Sequence, residues 1–163
     1  MTKLQTDILN ILSEDARMSS ERIAAMLSEK PETVQKELAF LEKSGVIVKY
    51  HTMVNNEKLD RELVEALIEV RVSPVAARGF DAIAEELYQF PEVKSLYLMS
   101  GGYDLAVFVE GRNLKDVAMF VSEKLSTLDK VLSTATHFIL KKYVVEGVRF
   151  VAPDEKKRLA VHV

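Results

Sequence analysis

Val64-Glu65-Ala66-Leu67-Ile68-Glu69-Val70-Arg71-Val72 is the stretch on which the reading of this 163-residue chain turns. Val64, Ala66, Ile68, Val70 and Val72 alternate with Glu65, Glu69 and Arg71, and a period of two sends successive side chains to opposite faces of a half-buried strand. Ser73-Pro74 ends the run, because proline brings no N–H to a sheet ladder. Before this strand the rhythm is different. Apolar residues recur about every 3.6 positions, so the change of period marks a domain boundary near residues 55–60.

Working outward toward the N-terminus, Leu4, Ile8, Ile11 and Leu12 share one stripe of a first helix that ends near Asp15. Ser19 or Ser20 caps a short amphipathic second helix carrying Ile23, Ala24 and Leu27. Lys30-Pro31 opens a third helix over residues 31–44, with Val34, Leu38 and Leu41 at helical spacing and Gly45 closing it. Val46, Ile47, Val48, Tyr50 and Val54 then predict a short strand or hairpin resembling a wing. This is the size and rhythm of a helix-turn-helix, whose third helix enters the DNA major groove, although a plain three-helix bundle shows the same stripes. Lys30, Glu32, Thr33, Gln35 and Lys36 are the solvent-facing positions at the start of the third helix. Gln35 suits adenine, and Glu32 suits the amino group of cytosine. Seven basic and eight acidic residues up to residue 54, in a chain of net charge -3, mean that any DNA footprint is local.

Toward the C-terminus, Phe80, Ile83, Ala84, Leu87 and Tyr88 mark a helix that Phe90-Pro91 ends. Residues 93–99 and 104–109 read as strands joined by a hairpin loop, Ser100-Gly101-Gly102-Tyr103, and the second of them is apolar on both faces, as a central strand is. Leu114, Val117, Val121, Leu125 and Leu128 mark another helix. Residues 131–140 form a fourth strand, in which Leu132, Thr134, Thr136, Phe138 and Leu140 share a face. The order is βαββαβ, a ferredoxin-like α+β domain following a helical head. One sheet face is covered by two helices, and the bare face is most simply buried by a second copy, so a homodimer follows, with tetramer or octamer left open. The division expected is a head at 1–54, a linker at 55–62, a ferredoxin-like domain at 63–145 and an extension at 146–163. Within that extension Val148-Arg149-Phe150-Val151, together with Tyr143-Val144-Val145 before it, suggests one more strand, and 154–158 is a mixed-charge segment.

The run Tyr97-Leu98-Met99-Ser100-Gly101-Gly102-Tyr103-Asp104-Leu105, followed by Val131 and Ser133-Thr134-Ala135-Thr136-His137-Phe138, resembles the effector-binding domain of the Lrp/AsnC family of leucine- and asparagine-responsive regulators. Asp7-Ile8-Leu9, Ala16-Arg17-Met18-Ser19, Leu41-Glu42-Lys43-Ser44-Gly45-Val46-Ile47 and Tyr50 resemble that family's head in the same order and spacing. The likeness covers about residues 1–145. It departs in the third helix, which Glu32 and Glu37 make less basic. What the resemblance implies is a sequence-specific transcriptional regulator that binds double-stranded DNA. Its oligomerisation or DNA binding then responds to an amino acid or related metabolite held between subunits. The implied effector contacts are Met99, Ser100, Gly101, Gly102, Tyr103 and Asp104, with Thr134 and Thr136 adding hydroxyls; Ser19, Ser20 and Lys49 join Lys30, Glu32, Thr33, Gln35 and Lys36 at DNA. Glycines let backbone amides approach a carboxylate, and Asp104 suits an ammonium; equally, the glycines suit a turn, Asp104 can bond it, and threonines favour strands.

Composition removes other classes. With 48% hydrophobic and 29% charged residues the chain is globular rather than disordered. No cysteine is present, which excludes disulfides and thiolate sites, and His51, His137 and His162 are too scattered for a metal motif. No cofactor is expected. The N-terminus lacks a signal-peptide pattern, and no apolar run has membrane-spanning length, so the expected compartment is the cytoplasm, with no membrane partner. Two alternatives stand beside the regulator. One is a metabolite-sensing oligomer without DNA binding. The other is a small ferredoxin-like enzyme built on Tyr103, Asp104 and His137, although no nucleophile–base pair emerges from their spacing.

Overall fold

Thr2 starts α1 (Lys3–Glu14) with a reciprocal cap: Gln5 N donates to Thr2 Oγ1 at 3.2 Å, and Thr2 N donates to Gln5 Oε1 at 2.8 Å. Two of the helix's otherwise unpaired amides are satisfied in this way. Ser19 caps α2 (Ser20–Leu27) by accepting from Arg22 N at 3.3 Å. The turn that follows is Ser28-Glu29-Lys30, with Ser28 left-handed at φ 56°, and Pro31 opens α3 (Pro31–Lys43). Ile8, Leu12, Ile23, Ala24, Val34 and Leu41 form the core of these three helices. The computed structural model describes residues 1–59, 63–73 and 79–150, and the chain divides into two compact units, Met1–Val54 and Asn55–Val163.

The wing expected over residues 46–54 does not form a strand. A strand needs a partner for its ladder, and among the described residues this segment has none; its ties run back to α3 instead, from Ile47 N to Leu41 O at 3.0 Å and from Tyr50 Oη to Glu42 Oε1 at 2.9 Å. Val48 is left 89% exposed.

The second unit opens with a single 3₁₀ turn at Asn56–Lys58 and then runs β1 (Val64–Val72), α4 (Asp81–Leu87), β2 (Val93–Leu98), β3 (Leu105–Gly111), α5 (Leu114–Met119) and β4 (Val131–Phe138). The antiparallel sheet has the order β2-β3-β1-β4. Ala66, Ile68, Val70 and Val72 of β1 and Leu105, Val107 and Val109 of β3 pack with Ile83, Leu87, Val117, Phe120 and Leu125 beneath α4 and α5. Glu65, Leu67, Glu69 and Arg71 therefore project from the opposite, open face, as period two requires.

Three packing expectations change. Tyr88 is exposed at the end of α4 rather than buried with Leu87. The helix after Leu114 is not one regular stripe: α5 passes into a π turn at Phe120–Lys124 and a 3₁₀ turn at Leu125–Thr127. The wider π turn brings Phe120 and Leu125, five apart, into the core while Leu114 stays exposed. β4 ends at Phe138, and beyond it Leu140 is 94% exposed. The extra strand is a hairpin of two short ones, β5 (Val144–Val145) and β6 (Val148–Arg149), turned by Glu146 at φ 48° and Gly147 at φ 80°. Residues 60–62 of the expected linker, Pro74, Val151 and the 154–158 segment lie outside the described residues. Among the described residues, no helix is long and apolar enough to cross a membrane, and no cluster of His, Asp or Glu could hold a metal ion.

Candidate DNA-binding and effector sites

In the head, the start of α3 presents Lys30, Glu32, Gln35 and Lys36 to solvent, with Thr33 half-buried behind them and Val34 and Leu41 anchoring the other face in the core. Ser19 spends its hydroxyl on the cap of α2. Ser20 accepts from Gln35 Nε2 at 3.2 Å and donates to Glu21 Oε1 at 3.2 Å, so the structure joins Ser20 and Gln35 across the turn between the helices. Glu21's own backbone N–H, with help from the Ser19 and Ser20 hydroxyls, holds its carboxyl below the ordinary value. Lys49 stands exposed on the segment after α3.

The head's acidic balance looks different once partners are known. Glu37 accepts from the buried Gln5 Nε2 at 2.7 Å, tying α1 to α3, and Glu42 accepts from Tyr50. Burial, followed by the bond to Glu42, raises the Tyr50 hydroxyl above its ordinary value. Among the described residues Lys30, Lys36 and Lys49 form no ion pair, and Arg17 with Asp15 at 3.5 Å is the ion pair found in the head. Glu37 and Glu42 are thus held by hydrogen bonds within the head, while these ammonium groups remain available to phosphates.

In the second unit, Ser100, Gly101, Gly102 and Tyr103 form the β2–β3 loop, closed by Met99 N donating to Asp104 O at 2.8 Å. Gly101 has φ +156°, a region that side chains other than glycine's rarely enter, and a Cβ on Gly102 would meet nothing within 4 Å. The loop backbone is consequently bare. Asp104 N donates to Val70 O at 3.0 Å, and Asp104 Oδ2 accepts from Val72 N at 2.8 Å. The carboxylate therefore bonds the last residue of β1, and one of its oxygens is spent.

Thr134 and Thr136 do not join this loop. β1 lies between β4 and β3, and the two threonines pair with Val70 and Ile68, buried residues on the helix-covered face. Their side chains sit half-buried on the side away from Arg71 and Glu69, which is a correction to the expected cluster. Opposite faces follow from parity: one residue of register exchanges the whole set. His137 lies on the open face, with Nε2 at 3.3 Å from Glu69 Oε1. Sequence reasoning missed Arg71, whose Nε donates to Gly102 O at 2.8 Å across the β1–β3 pair. Its position as the last open-face residue of β1 was visible, but its neighbour in space was not.

A family model described as winged helix-turn-helix DNA-binding matches residues 1–48, and one described as Lrp/AsnC ligand binding domain matches residues 65–148. The chain belongs to the Lrp/AsnC family. It is 48% identical over 162 residues to the HTH-type transcriptional regulator YugG of Bacillus subtilis, covering 99% of this chain and 98% of that protein. The solved structure of E. coli AsnC superposes with a TM-score of 0.72 at 22% identity, covering 91% of this chain and 97% of that one. A Neisseria meningitidis regulator solved in complex with L-Met gives 0.73 at 21% identity, with coverages of 89% and 93%. This Lrp/AsnC chain is a DNA-binding transcriptional regulator carrying a small-molecule-binding domain, and its relatives are regulators rather than enzymes.

Proposed function

We propose that the protein is a homodimeric, cytoplasmic regulator that reads duplex DNA with the start of α3 and binds an amino acid or related metabolite at the β2–β3 loop. Ligand occupancy changes its assembly or its grip on DNA. The observation that carries this reading is the loop itself: two glycines in open space, braced from below by Arg71 and Asp104. Bare, consecutive amides suit a carboxylate. An L-Met complex of a protein with this fold supports an amino acid as the class of ligand. The ligand set is Met99, Ser100, Gly101, Gly102, Tyr103 and Asp104; Thr134 and Thr136, on the covered face, are left out of it.

The open sheet face supports the dimer. Tyr97, 54% exposed, meets Phe108 edge-on at 6.0 Å, and Leu67, half-buried, and Ala135, exposed, lie on the same face. Two joined heads would meet two half-sites, and weak heads gain from being coupled. Lys30, Lys36 and Lys49 contact phosphates, while Glu32, Thr33, Gln35, Ser19 and Ser20 lie against the groove.

The test is gel retardation on the chain's own upstream DNA across a salt series, with and without each proteinogenic amino acid, alongside sedimentation of the same samples. Retardation that weakens steeply with salt and shifts with one amino acid is expected. No retardation at low salt refutes the DNA reading. Monomers that bind as tightly as dimers refute the coupling, and sedimentation also separates dimers from tetramers and octamers.

A further inference from the structure

Arg71 and Asp104 each neighbour core residues in sequence, Val70 and Val72 in one case and Leu105 in the other, so both side chains leave the sheet on the open face at the end that carries the loop. Each is only partly used. Arg71, an exposed residue, spends Nε on Gly102 O, which restrains the guanidinium plane, and its two terminal nitrogens have no partner among the described residues. Among the described residues no carboxylate pairs with it, although Glu69, the preceding open-face position, is within reach of the same surface; Glu69 is engaged by His137. Asp104 spends Oδ2 on Val72 N–H, and its other oxygen has no partner among the described residues. The two opposite charges therefore flank the glycine loop without neutralising each other.

We propose that Arg71 is the specificity-determining residue of the effector site: its free guanidinium edge takes the carboxylate of a zwitterionic α-amino acid, and the free oxygen of Asp104 takes its ammonium. This rests on the effector reading above. The chemistry favours the pairing because a guanidinium edge presents two parallel N–H donors that match the two oxygens of a carboxylate, a geometry that an ammonium cannot copy. The bond to Gly102 gives the fork a fixed aim before ligand arrives, which lowers the ordering cost of binding. A ligand lacking either charge leaves one of the two groups unmatched, so the site selects free amino acids over their amines and keto acids.

The experiment is calorimetric titration of the full chain, using whichever proteinogenic amino acid most raises the melting temperature of the wild type, together with its keto acid and its amino alcohol. Arg71→Met also removes the Gly102 bond, so all three ligands should weaken, but the amino acid and the keto acid by about tenfold to a hundredfold more than the amino alcohol. Arg71→Lys should fall between, having charge without the fork. A purely structural role for Arg71, through the Gly102 bond, would weaken all three ligands equally, and that result overturns the proposal. So does an unchanged amino acid affinity in Arg71→Met when the wild type binds. A wild type that binds no amino acid removes the effector reading and the proposal together, which distinguishes the two failures.

Discussion

In the head, the groups set toward DNA stand on the first turn of a thirteen-residue helix whose opposite face is core; in the second unit, the groups set toward a ligand sit in a short loop between strands. The head's scaffold is held by a small apolar core plus polar ties, Thr2 with Gln5, Gln5 with Glu37 and Ser20 with Gln35. None of the loop's residues belongs to the apolar core, and two side chains from neighbouring backbone, Arg71 and Asp104, hydrogen-bond at its base. A rigid element can thus offer many donors at once, whereas a loop needs each brace. Loss of one brace should cost the second site far more function than loss of one polar tie costs the first.

Replacing Ile68, fully buried at the centre of the sheet, by alanine should have the largest effect, destabilising the second unit by about 3 kcal/mol. Amide exchange resolved by segment should show the protection of residues 1–54 unchanged; equal loss in the head would break the two-unit view. Asp104→Ala strands the Val72 amide and should cost about 1–2 kcal/mol by urea unfolding, together with effector binding. Asp104→Asn keeps an acceptor for that amide, so it should lose effector binding with little loss of stability. Should both variants lose equal stability, the carboxylate's charge matters to the fold and the contrast between brace and ligand group fails.

Gln5→Ala removes half of the α1 cap and leaves Glu37 without its donor, at about 1 kcal/mol in thermal unfolding of the head. DNA contacts should respond more evenly than this. Lys36→Ala and Lys49→Ala should each reduce the slope of log affinity against log salt by about 1, read by fluorescence anisotropy. An unchanged slope would remove that residue from the phosphate set. The smallest effect concerns acid. Burial tends to raise the Glu92 carboxyl, but the hydrogen bond from Lys124 at 2.5 Å, its own backbone and the charges of Lys124 and Lys94 outweigh it and lower the value. A depressed folded value gives stability that is present above the ordinary value of 4.5 and is lost as pH falls through the folded one. Lys124→Met should flatten that acid limb in urea titrations of the second unit.

Much of this was readable from residue order alone. Apolar spacing located α1, α2 and α3, serine and proline marked the starts of α2 and α3, and alternation at Val64, Ala66, Ile68, Val70 and Val72 identified β1 and its buried face. Those patterns are local: a helix or strand repeats its environment at its own period, so a short window contains the information. The bare glycines of the loop and the solvent-facing start of α3 were legible for the same reason.

Where the pattern needed a partner from elsewhere in the chain, order alone failed. Residues 46–54 have strand composition but no strand beside them, and a π turn displaced Leu114 from the core in favour of Phe120. Thr134 and Thr136 look like companions of the loop in sequence, yet register against Val70 and Ile68 turns them to the other face. Arg71 gave no sign of its bond to Gly102, thirty-one positions away. The amino-acid sequence by itself determined which segments are helix and strand and which residues can be buried. Only the tertiary structure decided which side chains meet, because strand order and register are set by the packing of the whole sheet against α4 and α5, and a shift of one residue would send every side chain to the other face.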